Sequence, residues 1–245
     1  MWQLVTLGDH PEGLPWEPAV THCDTLDYGG HQDWYLPDSY ELSTMLDPVR
    51  RDAPVVYQPL QGDLRWVGYL WASSPLRENL TRAAAVDLRN ATPTSELKVR
   101  PVRFRCVRRE PPAGRTRPRD RYSAGGVDGH DVVDDAFTGL QWRLPASPDA
   151  LGWEAAVTWC ADPDDSWRLP NRWELESIVD DRLDDPVLDL EVFSLGAQRP
   201  PHLWTTTRFP LMDGTWFRVR VADGQVSSAT SITGLTHALC VRSAP

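Results

Sequence analysis

The chain of 245 residues contains one sequence pattern twice. The segment DWYLPDSYELSTMLD at 33–47 returns as SWRLPNRWELESIVD at 166–180. The likeness extends outward in the same order, to WEPAVTHC and WEAAVTWC upstream, to LWASS and LWTTT downstream, and to closing RCVRR and LCVRS segments. Matched segments in one order indicate a tandem duplication, in which each copy forms one structural unit.

Length and charge distribution locate the boundary between the copies. A chain of this length accommodates two domains of about 110 to 125 residues each. Residues 98–121 hold ten of the 25 Lys and Arg residues, although the formal net charge of the whole chain is −10. The Pro-rich middle of this stretch lacks periodicity, as linkers do. The sequence therefore predicts a first repeat over 1–109, a linker over 110–126 and a second repeat over 127–245.

The basic stretch has two interpretations. It is either a patch that binds nucleic acid or a sulfated polymer, or a solvated linker that follows a basic edge strand. Because an acidic repeat on each side would repel a polyanion, the linker is favoured and no nucleic-acid partner is expected.

The N-terminus and the apolar content bear on localisation. No stretch is apolar for long enough to span a membrane, and the first ten residues lack the features of a signal peptide. The first repeat begins without a counterpart of 134–141. The sequence thus predicts a truncated N-terminal strand, with any targeting signal upstream of Met1.

Each repeat contains two cysteines at nearly the same spacing, Cys23 and Cys106 in the first, Cys160 and Cys240 in the second. No CxxC pair or His-rich companion suggests zinc. Two interpretations remain, one disulfide within each repeat or four buried free thiols. Disulfides are favoured because both members of the pair recur. Each would stabilise its repeat by about 4 kcal/mol through loop closure and would indicate the periplasm, the cell surface or secretion.

Periodicity gives the elements of one repeat. Trp153, Ala156, Val157 and Cys160 fall on one face of a helix, which predicts that the cysteine lies on the buried side. The first repeat has the same pattern from Trp16 to Cys23.

A second helix is expected after the WRLP or WYLP segment. Asn171 and Asp38 are N-cap residues with Glu174 and Glu41 three positions later, which is a capping-box spacing. We therefore interpret these glutamates as caps rather than catalytic residues.

The second half of each repeat alternates in polarity. Segment 214–231 contains Asp223-Gly224, which predicts a hairpin with a two-residue turn, and 82–99 is its counterpart. The segments around Cys106 and Cys240 resemble closing strands. The predicted fold class is α+β, with two helices and a small, mostly antiparallel sheet stapled to the first helix.

The order TGLxW, WExAVxxC, WRLPxxxEL and closing CVR resembles the Lcl C-terminal domain family of bacterial surface modules. The resemblance covers both repeats and implies two tandem C-type-lectin-like domains with a disulfide from first helix to last strand. It also implies extracellular ligand binding, with glycan or glycosaminoglycan recognition as in the collagen-like adhesin of the family. The chain lacks EPN, QPD and WND triplets, so calcium-dependent sugar binding is not implied and no cofactor is expected.

Catalytic and metal-binding patterns are absent from the sequence. No GxSxG, HExxH, P-loop or GxGxxG motif occurs in its required context, and the six His are scattered. The acidic run 179–191 lacks the EF-hand register, which favours a solvated helix end over a calcium site. With four cysteines assigned to structure, we expect a protein that is not an enzyme and has no metal site.

The repeats differ most between Trp71 and Cys106 and between Trp204 and Cys240, where binding modules are expected to diverge. Aromatic faces and planar guanidinium groups suit a sugar ring or a carboxylate. The predicted ligand-binding residues are Arg208, Phe209, Trp216, Arg218 and Arg220 in the second repeat, with Trp66, Tyr69, Arg77, Arg82 and Arg89 as their analogues in the first. The tryptophans assigned to the core are Trp2, Trp16, Trp71, Trp142, Trp153 and Trp204, whereas Trp66 and Trp216 are expected to be exposed.

Two functions fit these patterns. The first is a glycan-binding adhesin or lectin, which an exposed aromatic pocket with convergent arginines would favour. The second is a protein–protein interaction module of an envelope or secreted assembly without a sugar site, which a broad apolar patch on the sheet would favour.

Overall fold

The chain forms two compact units, Met1–Thr116 and Arg117–Pro245. The computed structural model describes residues 1–3, 12–47, 50, 54, 56–61, 68–76, 79–108, 120–127, 130–162, 166–180, 183, 187–196, 199–210, 212–231 and 234–244.

The first unit combines short helices with one antiparallel sheet. Its strands have the order β1-β2-β3, and Trp71 of β1 lies opposite Ala85 of β2. The closing segment around Cys106 joins the rest of the unit through isolated bridges, from Val107 to Tyr35 and to Trp2. The elements are α1 (Trp16–Asp24), α2 (Ser39–Ser43), α3 (Gln58–Gln61), β1 (Tyr69–Pro75), β2 (Arg82–Asp87) and β3 (Thr92–Leu97).

The second unit has two antiparallel sheets, ordered β10-β6-β5-β4 and β7-β8-β9. Its elements are β4 (Tyr122–Val127), β5 (His130–Asp135), β6 (Leu140–Leu144), α4 (Trp153–Cys160), α5 (Arg172–Ser177), β7 (His202–Arg208), β8 (Thr215–Arg220), β9 (Val226–Thr230) and β10 (Cys240–Ser243).

This architecture confirms the α+β prediction and changes two details of it. The closing strand β10 pairs with β6, which precedes the helices, so the second unit contains two sheets instead of one. Residues 122–126, predicted as the end of the linker, form strand β4 together with Val127. All six residues of β4 pair with β5, and this ladder satisfies backbone groups that a linker would leave to water.

Both predicted disulfides are present. Cys23 is bonded to Cys106 with an S–S distance of 2.02 Å, and Cys160 to Cys240 with 2.06 Å. All four side chains are fully buried. Each bond ties the first helix of its unit to the closing segment.

Two buried tryptophans hold equivalent positions in the units. The indole nitrogen of Trp71 donates to the carbonyl of Leu14, and that of Trp204 to the carbonyl of Leu151, each at 2.9 Å. Both side chains are fully buried. These bonds fasten the first strand of each three-stranded sheet to the segment that leads into the first helix.

The remaining tryptophans of the predicted core differ in burial. Trp142 is fully buried, whereas Trp2, Trp16 and Trp153 are half-buried. The core assignment is therefore confirmed for Trp71, Trp142 and Trp204, which are fully buried. Trp16 and Trp153 pack against the cores of their units as half-buried side chains.

Both predicted capping boxes are present. Asp38 accepts from the backbone N–H of Glu41 at 2.7 Å, and Glu41 accepts from the backbone N–H of Asp38 at 3.0 Å. Asn171 and Glu174 exchange the same bonds at 2.9 and 2.7 Å. The two glutamates are engaged in starting helices, as expected from their spacing.

Hairpins connect β2 to β3 and β8 to β9, but their turns are longer than predicted. The backbone N–H of Arg220 donates to the carbonyl of Gln225, so four residues lie between them instead of two. Gly224 has a φ of 70°, and Ala91 occupies the equivalent position with a φ of 59°. The left-handed residue therefore ends a four-residue turn in both units.

Gly224→Ala is expected to destabilise the second unit by about 2 kcal/mol or more, because a Cβ atom there would lie 2.5 Å from Cγ1 of Val179 and the left-handed backbone disfavours any side chain. Urea unfolding with intact disulfides, followed by tryptophan fluorescence, measures the change. Ala91→Gly is the matched control and is expected to change stability by less than about 1 kcal/mol. Equal stability of Gly224→Ala and the parent would contradict this packing.

Candidate ligand-binding face

The sheet β7-β8-β9 has two unlike faces. Along β8, buried and half-buried residues alternate, as side chains do on a pleated strand. Phe217 and Val219 point into a core that includes Leu175 of α5. Trp216 and Arg218 therefore lie on the opposite face, together with Arg220.

Strand register adds a histidine to this opposite face. His202 of β7 lies directly opposite Arg220, and Trp204 lies opposite Arg218. Residues that are directly opposite in an antiparallel pair share a face. We call the group of His202, Trp216, Arg218 and Arg220, with Trp153 of α4 packed on it, the candidate face.

Two stacked indoles form its aromatic part. The rings of Trp153 and Trp216 are 4.0 Å apart between centroids and 16° from parallel. Trp153 is held in place because its indole nitrogen donates to the carbonyl of Thr205 at 2.9 Å. Both rings are half-buried. The indole N–H of Trp216 has no acceptor within the described residues, so it is a donor that a ligand could use.

Arg218 is the most informative residue of the face. Its Nε donates to Oγ of Ser227 at 3.2 Å, and its Nη1 to Oγ1 of Thr236 at 3.3 Å. Both partners are uncharged, and no carboxylate of the described chain forms an ion pair with it. Burial lowers the pKa of the Arg218 guanidinium. A half-buried cation without an anionic partner is energetically costly, and such groups are enriched at functional sites.

Arg220 differs from its neighbour because it is neutralised. Its Nε donates to Oδ1 of Asp223 at 2.7 Å, and Nη2 of Arg220 contacts Oδ2 of the same carboxylate. The side chain also reaches Oε1 of Gln225 at 3.1 Å. Arg220 therefore borders the face as one half of an ion pair, whereas the positive charge of Arg218 stays uncompensated.

The pKa of His202 reflects the charges that surround it. Burial, followed by the positive charges of Arg218 and Arg220, lowers the pKa of His202 below its usual value, and Asp223 opposes this effect. The face is locally positive in a chain whose net charge is −10.

The equivalent face of the first unit has small, buried side chains where the second unit has Trp216 and Arg218. Tyr69 lies opposite Asp87 as His202 lies opposite Arg220, so Ala83 and Ala85 take the positions of Trp216 and Arg218. Both alanines are buried against the core around Trp71.

The position of Arg220 is taken by an acid in the first unit. Asp87 accepts from Nε of Arg89 at 2.8 Å, and Nη2 of Arg89 donates to the hydroxyl of Tyr69 at 2.8 Å. These bonds satisfy the polar groups internally. The duplication has therefore preserved the frame and changed this face.

The structure separates the residues that were predicted to bind ligand. Trp216, Arg218 and Arg220 come together on the candidate face. Arg208 lies opposite Trp216 and therefore on the same face, where it forms an exposed ion pair with Asp213 at 3.1 Å. Phe209 packs on the other side of the sheet, edge-on to Phe217 at 5.4 Å, because the core lies there.

The first-unit residues do not form an equivalent group. Tyr69 is bonded to Arg89, and Arg82 donates to Oγ of Ser95 at 2.9 Å. Trp66 and Arg77 lie outside the described residues. Within the described residues, strand register places Ala83 and Ala85 at the positions of Trp216 and Arg218, so the predicted analogues Tyr69 and Arg82 do not take those positions.

His202 and Trp153 were missed from sequence. A signal for the register was present, since Ala85 follows Trp71 at the same spacing as Arg218 follows Trp204. His202 precedes Trp204 by two residues, and alternate residues of a strand share a face, so His202 lies on the same face as Trp204. Trp153 was assigned to the core because it recurs, and recurrence does not distinguish full from partial burial.

The described residues include no group of three or more His, Cys, Asp or Glu side chains that could hold a metal ion. Within the acidic run 179–191, Asp181, Asp184 and Asp185 lie outside the described residues.

The depressed pKa of His202 predicts a pH dependence of stability. The unfolded imidazole, with its usual pKa near 6.5, binds a proton before the folded one does, so the unfolded state holds more protons below that pH. The free energy of unfolding of the second unit is therefore expected to fall as the pH decreases from about 7 to about 5. Urea midpoints across this range test it, and His202→Gln should reduce the slope. Identical slopes for variant and parent would contradict the environment described for His202.

Comparison with family models identifies the family of the chain. No helix among the described residues is long and apolar enough to cross a membrane. No curated protein matches the sequence. The family model for the Lcl C-terminal domain matches residues 1–108 and again 131–242. The chain therefore belongs to the Lcl C-terminal domain family and carries two tandem copies of that domain.

Proposed function

We propose that this protein is an extracellular glycan-binding module, of the adhesin or lectin type, that uses the candidate face of its second unit. The main support is one observation. Among the described residues, the half-buried Arg218 has no anionic partner, and the indole N–H of Trp216, two residues away on the same face of β8, has no acceptor. Unsatisfied donors at an accessible position are expected where a polar ligand supplies the missing acceptors.

The chemistry of the face suits a sugar. Indole rings bury apolar area and carry a polar N–H, so they contact the C–H face of a pyranose while donating to a hydroxyl. The planar guanidinium of Arg218 presents several donors in a fixed arrangement. The half-buried Ser227 adds a hydroxyl group beside it, whereas the buried Thr236 holds the guanidinium in place from behind.

The disulfides support an extracellular location. Two buried disulfides fit a protein from an oxidising compartment, such as the periplasm, the cell surface or the medium. The C-type-lectin-like fold is part of the proposal, supported by the disulfide from the first helix to the closing segment in each unit.

Binding rather than catalysis is proposed for the same reasons. All four cysteines are in disulfides, so none supplies a thiolate nucleophile. The two glutamates that stand out in the sequence accept backbone N–H groups at helix starts. No metal ion or cofactor is part of the proposed function.

A glycan array tests this proposal on the intact protein. We expect binding to a defined set of sugars at physiological salt, unchanged by a chelator. Trp216→Leu and Arg218→Gln should each lower the signal at least about tenfold, because each removes a donor at the centre of the face. Arg82→Gln is the matched control and should bind as the parent does, since Arg82 is a strand arginine of the first unit that donates to Oγ of Ser95.

A blank array for the folded, disulfide-bonded protein would overturn the glycan proposal. A protein–protein interaction module is the second candidate, and an apolar patch in the first unit favours it. Leu80 and Val99, exposed by 77% and 79%, flank the backbone bond between Thr81 and Lys98, and Leu97 lies beside them. If the protein binds a protein partner through this patch, the double substitution Leu80→Ser and Val99→Ser should weaken binding to the partner, whereas Arg218→Gln should not.

A further inference from the structure

We infer that the ligand of the candidate face is a sugar with one carboxylate and no other charge, and that only the second of the two units binds it. This inference rests on the proposed function and specifies its ligand.

The first support is the bonding of Arg218. Its two bonds go to hydroxyl oxygens, which use part of the five N–H donors of a guanidinium. Charged hydrogen bonds to a carboxylate are about twice as strong as neutral ones and match the planar fork of arginine. A carboxylate is therefore the ligand group that best compensates the desolvated charge.

The second support is the number of charges. Arg220 is already paired with Asp223, which leaves Arg218 as the one permanent uncompensated cation of the face. One carboxylate balances it. A polyanion such as a sulfated polymer would place further negative charges against a chain of net charge −10, which opposes binding.

The third support is the neutral part of the face. The stacked pair Trp153–Trp216 is half-buried and borders Arg218 along β8. The free N–H of Trp216 supplies a donor for a ring hydroxyl. A sugar whose single charge is a carboxylate contacts both the indole rings and the guanidinium, whereas an inorganic anion contacts only the guanidinium.

The first unit lacks the counterparts of Trp216, Arg218 and Arg220. It keeps only the counterpart of Trp153, since Trp16 donates to the carbonyl of Ala72 at 2.8 Å and has Nζ of Lys98 over its ring. Ala85 takes the position of Arg218 and is buried. Asp87 takes the position of Arg220 and would repel a carboxylate. The carboxylate site therefore belongs to the second copy alone.

Indole N–H resonances of the ¹⁵N-labelled intact protein provide the test. The probes are methyl glucuronide and methyl glucoside, which differ only in a carboxylate in place of a hydroxymethyl group. The Trp216 resonance is assigned by its loss in Trp216→Phe. We expect a saturable shift of this resonance with the glucuronide, and a dissociation constant for the glucoside at least about tenfold weaker.

Variants locate the effect at the guanidinium. Arg218→Gln should remove the preference for the glucuronide while leaving the weak glucoside response unchanged. Arg218→Lys keeps the charge without the planar fork and should retain only part of the preference. Arg82→Gln is the matched control, since Arg82 is also a strand arginine bonded to a serine of the next strand, and it should leave both dissociation constants unchanged.

Each other outcome counts against the inference. Equal affinity for the two sugars would make this a neutral sugar site and would leave the proposed function intact. Tighter binding of dextran sulfate than of the glucuronide, with loss in Arg218→Gln, would identify a polyanion site. No shift with either sugar overturns the carboxylate inference, and the glycan array then decides independently whether the protein binds sugars at all.

Discussion

The covalent bond from the first helix to the closing segment is the constraint on which each unit depends. Cys23–Cys106 and Cys160–Cys240 join positions near the two ends of their units. In the loop-entropy description each bond stabilises its unit by about 4 kcal/mol. In the second unit the bond holds α4 against the sheet, so that Trp153 reaches Trp216 and the indole of Trp204 reaches Leu151. The aromatic part of the candidate face thus exists because the helix that carries half of it is tied down.

On this common frame the two copies have diverged at one strand. Three consecutive same-face positions are Trp216, Arg218 and Arg220 in β8, and they are Ala83, Ala85 and Asp87 in β2. In the first copy small side chains close the face, and Asp87, Arg89 and Tyr69 satisfy one another. In the second copy the same positions hold a cation without a carboxylate partner in the described chain and a free indole donor. A duplicated scaffold with one altered face is what a binding specialisation of a single copy would produce.

The sequence predicted the features that depend on local pattern or on recurrence. The disulfides followed from paired cysteines at equal spacing, and the capping boxes from Asp38 and Asn171 three residues before a glutamate. The composition of an isolated segment was a poorer guide, since Tyr122–Val127 pairs with β5 although it resembles a linker. The membership of the candidate face was missed in part because it depends on strand register, and a shift by one residue moves a side chain to the other face. The register could be inferred from the sequence, because Ala85 follows Trp71 at the same distance as Arg218 follows Trp204. The strand pairing was needed to show that His202 lies beside Arg218 and Arg220.

We propose a ligand face in the second of the two homologous units and none in the first. Hydrogen–deuterium exchange of the intact, disulfide-bonded protein, with and without saturating methyl glucuronide, tests it most directly. If only the second unit binds the sugar, exchange will be slower in residues 202–220 and in the segment leading into α4, with no change in residues 69–97. Slower exchange in 69–97, or unchanged exchange throughout 202–220 under conditions where binding is detected, would contradict it.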